Sequence, residues 1–172
     1  EIVASVTESL KLSEDGARLK EVFTAPSLQM VTFTITEKGY AIQNDAHDFL
    51  PDYKADMESG RDACHSFFGK LASLCLSRVR AGLAPLALVS LDNCSDNGVR
   101  LERAMRYMTQ AWMQHGFITE DEYFALIKKN TYPLSMIDKI TPRPADSVCK
   151  ELEKLGCEDI APVITSKRTF IA

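Results

Sequence analysis

The sequence lacks any block of lysine or arginine residues and any long apolar run. Its 20 basic and 24 acidic side chains are spread along the chain and give a net charge of −4, so a patch for nucleic acid or an anionic membrane surface is not expected. No apolar run approaches the roughly 20 residues that cross a bilayer, and the N-terminus has no basic segment followed by an apolar signal region. The composition therefore indicates a soluble, unsecreted protein whose partners are neither nucleic acids nor membranes.

Cysteine is present, but in a pattern that predicts neither disulfides nor a metal site. The five cysteines are an odd number without a C-x-x-C pair, and most lie in apolar, helix-like segments where cysteine acts as a small hydrophobic residue. His47, His65 and His115 have no ligand spacing, and no cysteine cluster accompanies them, so zinc is not expected. The pattern favours the reducing cytoplasm. The cysteines are Cys64, Cys75, Cys94, Cys149 and Cys157.

What the sequence does contain is typical of one globular domain. It has 172 residues, of which 45% are apolar and 26% are charged, and this is enough for a single core of ordinary size. The chain opens on Glu1-Ile2-Val3 without an initiator methionine and stops within the apolar run from Thr169 to Ala172. The missing initiator methionine and the apolar run at the end both indicate that the sequence is a fragment of a longer chain.

Two segments have the pattern of strands in a parallel sheet. Met30 to Thr36 alternates apolar residues with threonines, and Leu86 to Leu91 is a near-continuous apolar run, as expected for a strand covered on both faces. We expect the two strands to be parallel and adjacent or nearly so, with a right-handed connection that includes a helix over residues 61–80. Residues 1–10 alternate loosely and predict a further strand.

Helical periodicity fills most of the remaining chain. Residues 61–80 and 99–115 each place their apolar side chains on one stripe. Thr119 with Glu122 forms the capping-box pattern of a further helix that continues to about Lys129. The alternation of strands with helices predicts an α/β fold with a largely parallel sheet.

Shorter helices are predicted near both ends. One begins after a cap at Ser13 and is closed by Pro26, and one covers residues 145–155 with Gly156 as its stop. Residues 41–60 have no firm periodicity and predict a polar loop with one short helix at most.

Polar clusters follow both predicted strands, where an open parallel sheet binds its ligands. Asp96 or Asn97 is expected to cap the helix that begins near Gly98. Asp92 and Asn93 lie too early in the chain to act as caps. An Asn93 amide at the strand end is suited to donate a hydrogen bond to a substrate oxygen, although such residues also form ordinary turns.

Three segments, "TITEKGY", "SLDNCSDNG" and "YPLSMIDKITP", resemble in this order the motifs of the polyol-specific long-chain dehydrogenases. That family includes mannitol 2-dehydrogenase and fructuronate and tagaturonate reductases, and its members typically show T-V-T-E-K-G-Y, C/S-x-D-N-x-x-x-N-G and F-P-x-x-M-V-D-R-I-x-P. The resemblance covers most of residues 28–142, and Lys139 replaces the family's Arg, which alone can make a bidentate contact. The residues that match the second and third motifs are Asp92, Asn93, Asn97, Gly98, Pro133, Met136, Asp138, Ile140 and Pro142.

The resemblance implies a Rossmann-like domain, with a mostly parallel sheet flanked by helices, and a metal-independent oxidoreductase. The reaction interconverts a secondary alcohol and a ketone on a sugar alcohol or sugar acid with NAD as cofactor, and NADP is equally compatible. In such enzymes the residue that matches Asn93 is catalytic and substrate-binding, because it helps to form the oxyanion hole. The resemblance also implies that Asp138 lies beside the nicotinamide and the substrate and binds both. It implies that Thr36 and Glu37 bind the cofactor. We expect these four residues to gather at one edge of the sheet.

Two parts of the family pattern do not occur in the sequence. It contains neither a G-x-G-x-x-G nor a G-x-F-x-R-x-H phosphate-binding turn, and it lacks the K-x-x-x-x-N-x-x-H pattern that carries the general base. We therefore interpret residues 1–172 as the later part of an N-terminal Rossmann-like domain, inactive when isolated. The alternative is a non-catalytic α/β binding or interaction module whose Asp-Asn loops are only caps and turns.

Overall fold

The computed structural model describes residues 5–138 and 146–157 of the chain. The chain divides into two compact units, Glu1–Ser135 and Met136–Ala172. Within the described residues, no helix is both long and apolar enough to cross a bilayer. The elements in chain order are α1 (Gly16–Phe23), β1 (Met30–Phe33), α2 (Thr36–Gly39), α3 (Pro51–Ser59), α4 (Phe67–Arg80), β2 (Ala87–Ser90), α5 (Asn97–Gln114), α6 (Glu120–Phe124) and α7 (Asp146–Lys154).

Strands β1 and β2 form a two-stranded parallel sheet in the first unit. Met30 pairs with Ala87 and Phe33 pairs with Ser90, while Thr131 adds one parallel bridge to Ala87. The prediction that these segments are neighbouring parallel strands is confirmed, and α4 lies between them in the chain. The right-handed connection stays a prediction. Because the strands are parallel and in register, both end at the same side of the sheet, which we call the carboxyl edge.

Strand β1 ends at Phe33 and not, as predicted, at Thr36. Thr36 begins the single helical turn α2, and its φ of 64° is a left-handed value outside the strand region. The cause is Asp92, whose carboxylate accepts hydrogen bonds from the backbone N–H groups of Ile35 and Thr36. These two amides therefore turn toward the loop after β2 instead of extending the strand.

Helix α4 begins at Phe67, so the prediction of one helix from residue 61 is wrong at its start. Ser66 occupies the N-cap, and its side chain accepts a hydrogen bond from the Gly69 N–H at 3.1 Å. Residues Arg61–Ala63 form a separate 3₁₀ turn. The Ser66 cap gives the helix a fixed starting point, and the helix ends at Arg80 as predicted.

The N-terminal part of the chain differs from the prediction, while the loop region agrees with it. Residues 5–10 form no strand, and Glu8 instead forms an ion pair with Arg18 of α1 at 2.8 Å. The prediction is therefore wrong for these residues, and residues 1–4 lie outside the described part of the chain. The short helix allowed within residues 41–60 is α3, which begins at Pro51, where a missing N–H costs nothing.

The predicted capping box at the start of α6 is confirmed. Thr119 Oγ1 accepts a hydrogen bond from the Glu122 N–H at 3.2 Å, and Glu122 Oε2 accepts one from the Thr119 N–H at 2.9 Å. The helix runs into a π-helical turn over Ala125–Lys129 and so ends at the predicted residue. In the second unit, α7 is followed by Gly156 with a φ of 80°, the conformation expected of a helix stop.

Arg78 of α4 is a buried cation that fixes the start of both strands. Its guanidinium donates hydrogen bonds to the carbonyl oxygens of Phe23, Ala25 and Leu28 at 2.8 Å and of Ala84 at 2.6 Å. The first three precede β1 and the fourth precedes β2. Since Arg78 is only 2% exposed, these carbonyl groups replace its water, and they hold the chain at one end of the sheet.

Asp56 of α3 anchors the start of α4. Its carboxylate is fully buried and accepts hydrogen bonds from the N–H groups of His65 and Ser66, both at 2.8 Å, and from the Ser66 hydroxyl. Its backbone carbonyl accepts a hydrogen bond from Trp112 Nε1 at 2.8 Å, which ties α3 to α5. The core around these groups contains the fully buried side chains of Phe68, Leu76, Leu88, Leu101, Met105, Met108, Trp112 and Leu126.

Replacing Gly69 by alanine is expected to lower the free energy of unfolding by about 2 kcal/mol. A Cβ there would overlap Asp56 Oδ2 and lie 3.0 Å from Asp56 Cγ, and the hydrogen bonds to His65 and Ser66 prevent that carboxylate from moving. Gly16→Ala in α1 is the control, because nothing lies within 4 Å of a Cβ at that position. Urea denaturation of both variants measures the difference, and equal stability would contradict the packing.

Candidate active site

The carboxylate of Asp92 joins the ends of the two strands. Its Oδ1 accepts a hydrogen bond from the Thr36 N–H at 2.8 Å, and its Oδ2 accepts one from the Ile35 N–H at 3.0 Å. Asp92 follows β2 and is only 5% exposed. The segments "TITEKGY" and "SLDNCSDNG" therefore meet at the carboxyl edge through one buried side chain.

Tyr40 supplies a third donor to this carboxylate. Its hydroxyl donates to Asp92 Oδ2 at 2.7 Å and lies 2.6 Å from Ser90 Oγ. Burial alone would raise the pKa of Asp92, but the hydrogen bonds from Ile35, Tyr40 and Thr36 lower that pKa below its ordinary value. Burial raises the pKa of Tyr40, so its hydroxyl keeps the proton that it donates. The group thus holds a single buried negative charge that is stabilised by three hydrogen-bond donors.

Asn97 connects this pair of segments to the third one. Its Nδ2 donates to the carbonyl oxygen of Ser135 at 2.9 Å and to that of Asp92 at 3.1 Å, while its Oδ1 accepts from the Ser135 N–H at 3.1 Å. The Ser135 hydroxyl in turn donates to the carbonyl oxygen of Ser90. One network of buried polar groups therefore holds the first two motifs and the "YPLS" part of the third.

The expectation that Asp96 or Asn97 caps α5 through its side chain is wrong. Asp96 has a left-handed φ of 55°, and its side chain makes no capping hydrogen bond, since a side-chain cap requires an extended backbone at that position. Asn97 is the first residue of α5 and not its N-cap; its Oδ1 accepts hydrogen bonds from the N–H groups of Gly98 at 2.8 Å and Ser135 at 3.1 Å, and its Nδ2 donates to the Ser135 carbonyl oxygen. Gly98 allows this arrangement, because a Cβ there would lie 2.5 Å from the Pro133 carbonyl oxygen.

Asn93, the predicted catalytic residue, lies beside Asp92 with its side chain exposed. Its amide has no hydrogen-bond partner among residues 5–138, so it differs from the buried and fully engaged Asn97 in the same loop. Thr36 is also exposed, and its N–H contacts the Asp92 carboxylate. Glu37 forms an ion pair with Arg100 at 3.5 Å, but 69% of the Glu37 side chain is exposed, so this pair is weak. The structure thus brings Thr36, Glu37 and Asn93 to the carboxyl edge.

Asp138, the fourth predicted site residue, belongs to the second unit and is exposed. Its place beside the other three stays a prediction. Lys139, Ile140 and Pro142, which complete the third motif, lie outside the described residues.

The cysteine and histidine side chains of the described residues do not form a metal-binding group. Residues 5–138 and 146–157 contain no group of three or more His, Cys, Asp or Glu side chains placed to hold a metal ion. Burial raises the pKa of the Cys64 and Cys75 thiols to about 12. A thiol with such a pKa is neutral at physiological pH and therefore a poor nucleophile.

The sequence interpretation missed the network that supports the site. It took Asp92 as a residue of the second motif that lies too early in the chain to act as a cap, and it gave Tyr40 and Ser135 no individual role. Two signals were present in the sequence: an aspartate directly after an apolar strand needs donors if it is buried, and a tyrosine that ends the neighbouring polar segment is such a donor. The pairing itself depends on the parallel register of β1 and β2.

The two parallel strands, with helices before, between and after them in the chain, are consistent with part of a Rossmann-like α/β domain. No family model matches the chain. Mannitol 2-dehydrogenase of Pseudomonas fluorescens, solved as a ternary complex with NAD and D-mannitol, has a similar fold, with a TM-score of 0.66 and 22% identity over 89% of this chain and 30% of that one. The predicted Rossmann-like α/β class is confirmed by this similarity.

The chain is also similar in sequence to curated proteins named as dehydrogenases or oxidoreductases. D-mannonate oxidoreductase of Thermotoga maritima is 42% identical over an alignment of 174 positions, which covers 99% of this chain and 32% of the relative. D-arabinitol 4-dehydrogenase of Ralstonia nicotianae is 34% identical over 95% of this chain and 34% of the relative. The resemblance to polyol and sugar-acid dehydrogenases is therefore confirmed, and the chain spans about a third of the length of these relatives.

Two asparagines four residues apart are expected to respond differently to truncation. Asn97→Ala should lower the free energy of unfolding by about 2 kcal/mol, because it removes the acceptor of the Ser135 N–H and one of the two donors to the buried Asp92 carbonyl. Asn93→Ala, the matched control, should change it by less than about 0.5 kcal/mol, since that side chain is exposed. Chemical denaturation of both variants measures this difference, and similar losses would show that Asn93 also supports the fold.

Proposed function

We propose that the protein is an NAD-dependent oxidoreductase that interconverts a secondary alcohol and a ketone on a sugar alcohol or sugar acid without a metal. The observation that carries this proposal is the carboxyl edge, where segments of all three motifs are joined by one buried network around Asp92. The 42% identity to a D-mannonate oxidoreductase supports a sugar acid such as mannonate as the first substrate to test.

We further propose that this chain forms the later part of an N-terminal Rossmann-like domain in a longer protein. Its coverage of about a third of each curated relative supports this. In the proposed arrangement, a glycine-rich first βαβ unit and a helical catalytic domain belong to other parts of the full-length protein. The general base and the groups that select the substrate terminus lie in that helical domain.

Asn93 is the proposed catalytic residue. Its amide is exposed at the carboxyl edge, while Asp92 before it is hydrogen-bonded to Thr36 and Asn97, and the N–H of Cys94 after it donates to the Asp92 carbonyl. A fixed N–H donor of this kind stabilises the negative charge that develops on the substrate oxygen during the reaction, and it requires no reorganisation. The same contact orients the substrate, so Asn93 is also a substrate-binding residue.

Thr36, Glu37 and Asp138 are the proposed cofactor-binding residues, and Asp138 also contacts substrate. The exposed hydroxyl of Thr36 and carboxylate of Glu37 fit the amide and ribose hydroxyl groups of a nicotinamide nucleotide, because they supply both hydrogen-bond donors and acceptors. NAD supplies the site that accepts hydride from the alcohol carbon. NADP is not distinguished from NAD by these residues.

We place the protein in the cytoplasm. Four cysteines are free thiols among the described residues, as is usual in a reducing compartment. The proposed partners are small sugar alcohols or sugar acids. The free cysteines are Cys64, Cys75, Cys94 and Cys157.

The full-length protein is expected to oxidise D-mannonate, D-mannitol or D-arabinitol with NAD. Formation of NADH, measured with each substrate in turn and repeated with NADP, tests the activity and ranks the substrates. Dialysis against a chelator should leave the rate unchanged, because the proposed site uses an amide donor in place of a metal. A protein that binds these sugars but never forms NADH would instead be the non-catalytic binding module.

In the full-length protein, Asn93→Ala is expected to lower kcat by about 10²-fold, as other losses of one oxyanion-hole donor do. The affinity for NAD should change much less, because the lost amide contacts the substrate oxygen. Steady-state kinetics with the best substrate measures both quantities. A kcat within about twofold of the unaltered protein would show that Asn93 is only a turn residue.

A further inference from the structure

We propose that Asp92 is a positioning residue, which acts on the reaction through Asn93 by fixing the backbone at the carboxyl edge. This inference rests on the proposed function. Asp92 is nearly inaccessible, whereas the neighbouring Asn93 is exposed. A buried carboxylate of this kind contacts no substrate and influences it only by placing groups that do.

Asp92 constrains the backbone on both sides of Asn93. Its carboxylate is held by the N–H groups of Ile35 and Thr36 and by the hydroxyl of Tyr40. Its own carbonyl accepts hydrogen bonds from Asn97 Nδ2 at 3.1 Å and from the N–H of Cys94, the residue after Asn93, at 2.9 Å. The segment that carries the Asn93 amide is therefore tied through Asp92 to α2 and to α5. These contacts limit how far the Asn93 amide can move from the position in which it binds the substrate oxygen.

The same carboxylate holds Thr36 in a conformation that its side chain disfavours. Thr36 is a β-branched residue with a φ of 64°, in the left-handed region that such residues rarely adopt. The hydrogen bond from its N–H to Asp92 Oδ1, at 2.8 Å, offsets this strain. Without the carboxylate, the turn is expected to relax toward an extended conformation and to move Thr36 and Glu37 away from Asn93.

An amide cannot replace this carboxylate. Asp92 accepts hydrogen bonds on both oxygens, from Thr36 on Oδ1 and from Ile35 and Tyr40 on Oδ2. In Asp92→Asn, either orientation of the amide places its NH₂ group against a backbone N–H, and a donor is left without an acceptor. The variant keeps the size of the side chain and removes only its ability to hold the turn.

The test is a double-mutant cycle in the full-length protein with Asp92→Asn, Asn93→Ala and the double variant. We expect Asp92→Asn to lower kcat by about tenfold or more, since small displacements of a catalytic group have effects of this size, and to change the KM for substrate by less than about twofold. In the Asn93→Ala background, the same change should lower kcat by less than about twofold, because the group that Asp92 positions is already absent.

Asp96→Asn is the matched control, an identical change in the same loop at an exposed side chain that makes no capping bond. It should leave kcat within about twofold. Amide hydrogen exchange gives a readout independent of activity: the N–H groups of Ile35 and Thr36 should exchange faster in Asp92→Asn and unchanged in Asp96→Asn. If Asp92→Asn does not fold, Tyr40→Phe, which removes one of the three donors, enters the same cycle with a smaller expected loss.

The outcomes separate this inference from the proposed function. No turnover by the unaltered protein with any sugar alcohol or sugar acid would overturn both. Another result would overturn the positioning role alone. Asn93→Ala would lower kcat, and Asp92→Asn would then lower it by the same factor in the Asn93→Ala variant as in the unaltered protein, because the two residues would act independently. Unchanged exchange at Ile35 and Thr36 would also contradict it.

Discussion

A single buried carboxylate, that of Asp92, determines how the loops beyond the sheet are arranged. A charge that leaves water costs several kcal/mol unless donors replace its hydration, and here two backbone amides and the Tyr40 hydroxyl do so. This requirement ends β1 early, holds Thr36 in a left-handed conformation and brings the loop after β2 against α2. Asp92 joins the first motif segment to the second, and Asn97 joins the second to Ser135 of the third.

The opposite end of the sheet and the start of α4 use the same physical principle. Arg78 is surrounded by carbonyl oxygens from the segments that lead into both strands, and Asp56 is surrounded by donors at the start of α4. Three of the four Arg78 acceptors lie 50 to 55 positions away in the chain, whereas the donors to Asp56 lie 9 or 10 positions away. Two short strands thus gain defined ends from polar side chains, because their own ladder is only four residues long.

The loop after β2 shows how one residue type takes two roles according to its surroundings. Asn97 is buried and has its amide occupied by Ser135 and the Asp92 carbonyl. Asn93 is exposed with its amide free of the rest of the described chain. A rigid support beneath an exposed donor is the arrangement that electrostatic catalysis requires, because the donor must already be in place when charge develops. The similarity to polyol and sugar-acid dehydrogenases is consistent with this division.

The sequence by itself determined the α/β class, the neighbouring parallel strands and the capping box at Thr119, because apolar periodicity and local capping depend on residues close together in the chain. It also identified Asn93 as a residue of the second motif. Only the tertiary structure decided that β1 ends at Phe33, that Asn97 forms hydrogen bonds with Ser135 and is not the helix cap, and that the Asp92 carboxylate binds the Thr36 N–H. These features join residues that are 38 to 57 positions apart, and such contacts follow from strand register and burial, which local patterns do not contain.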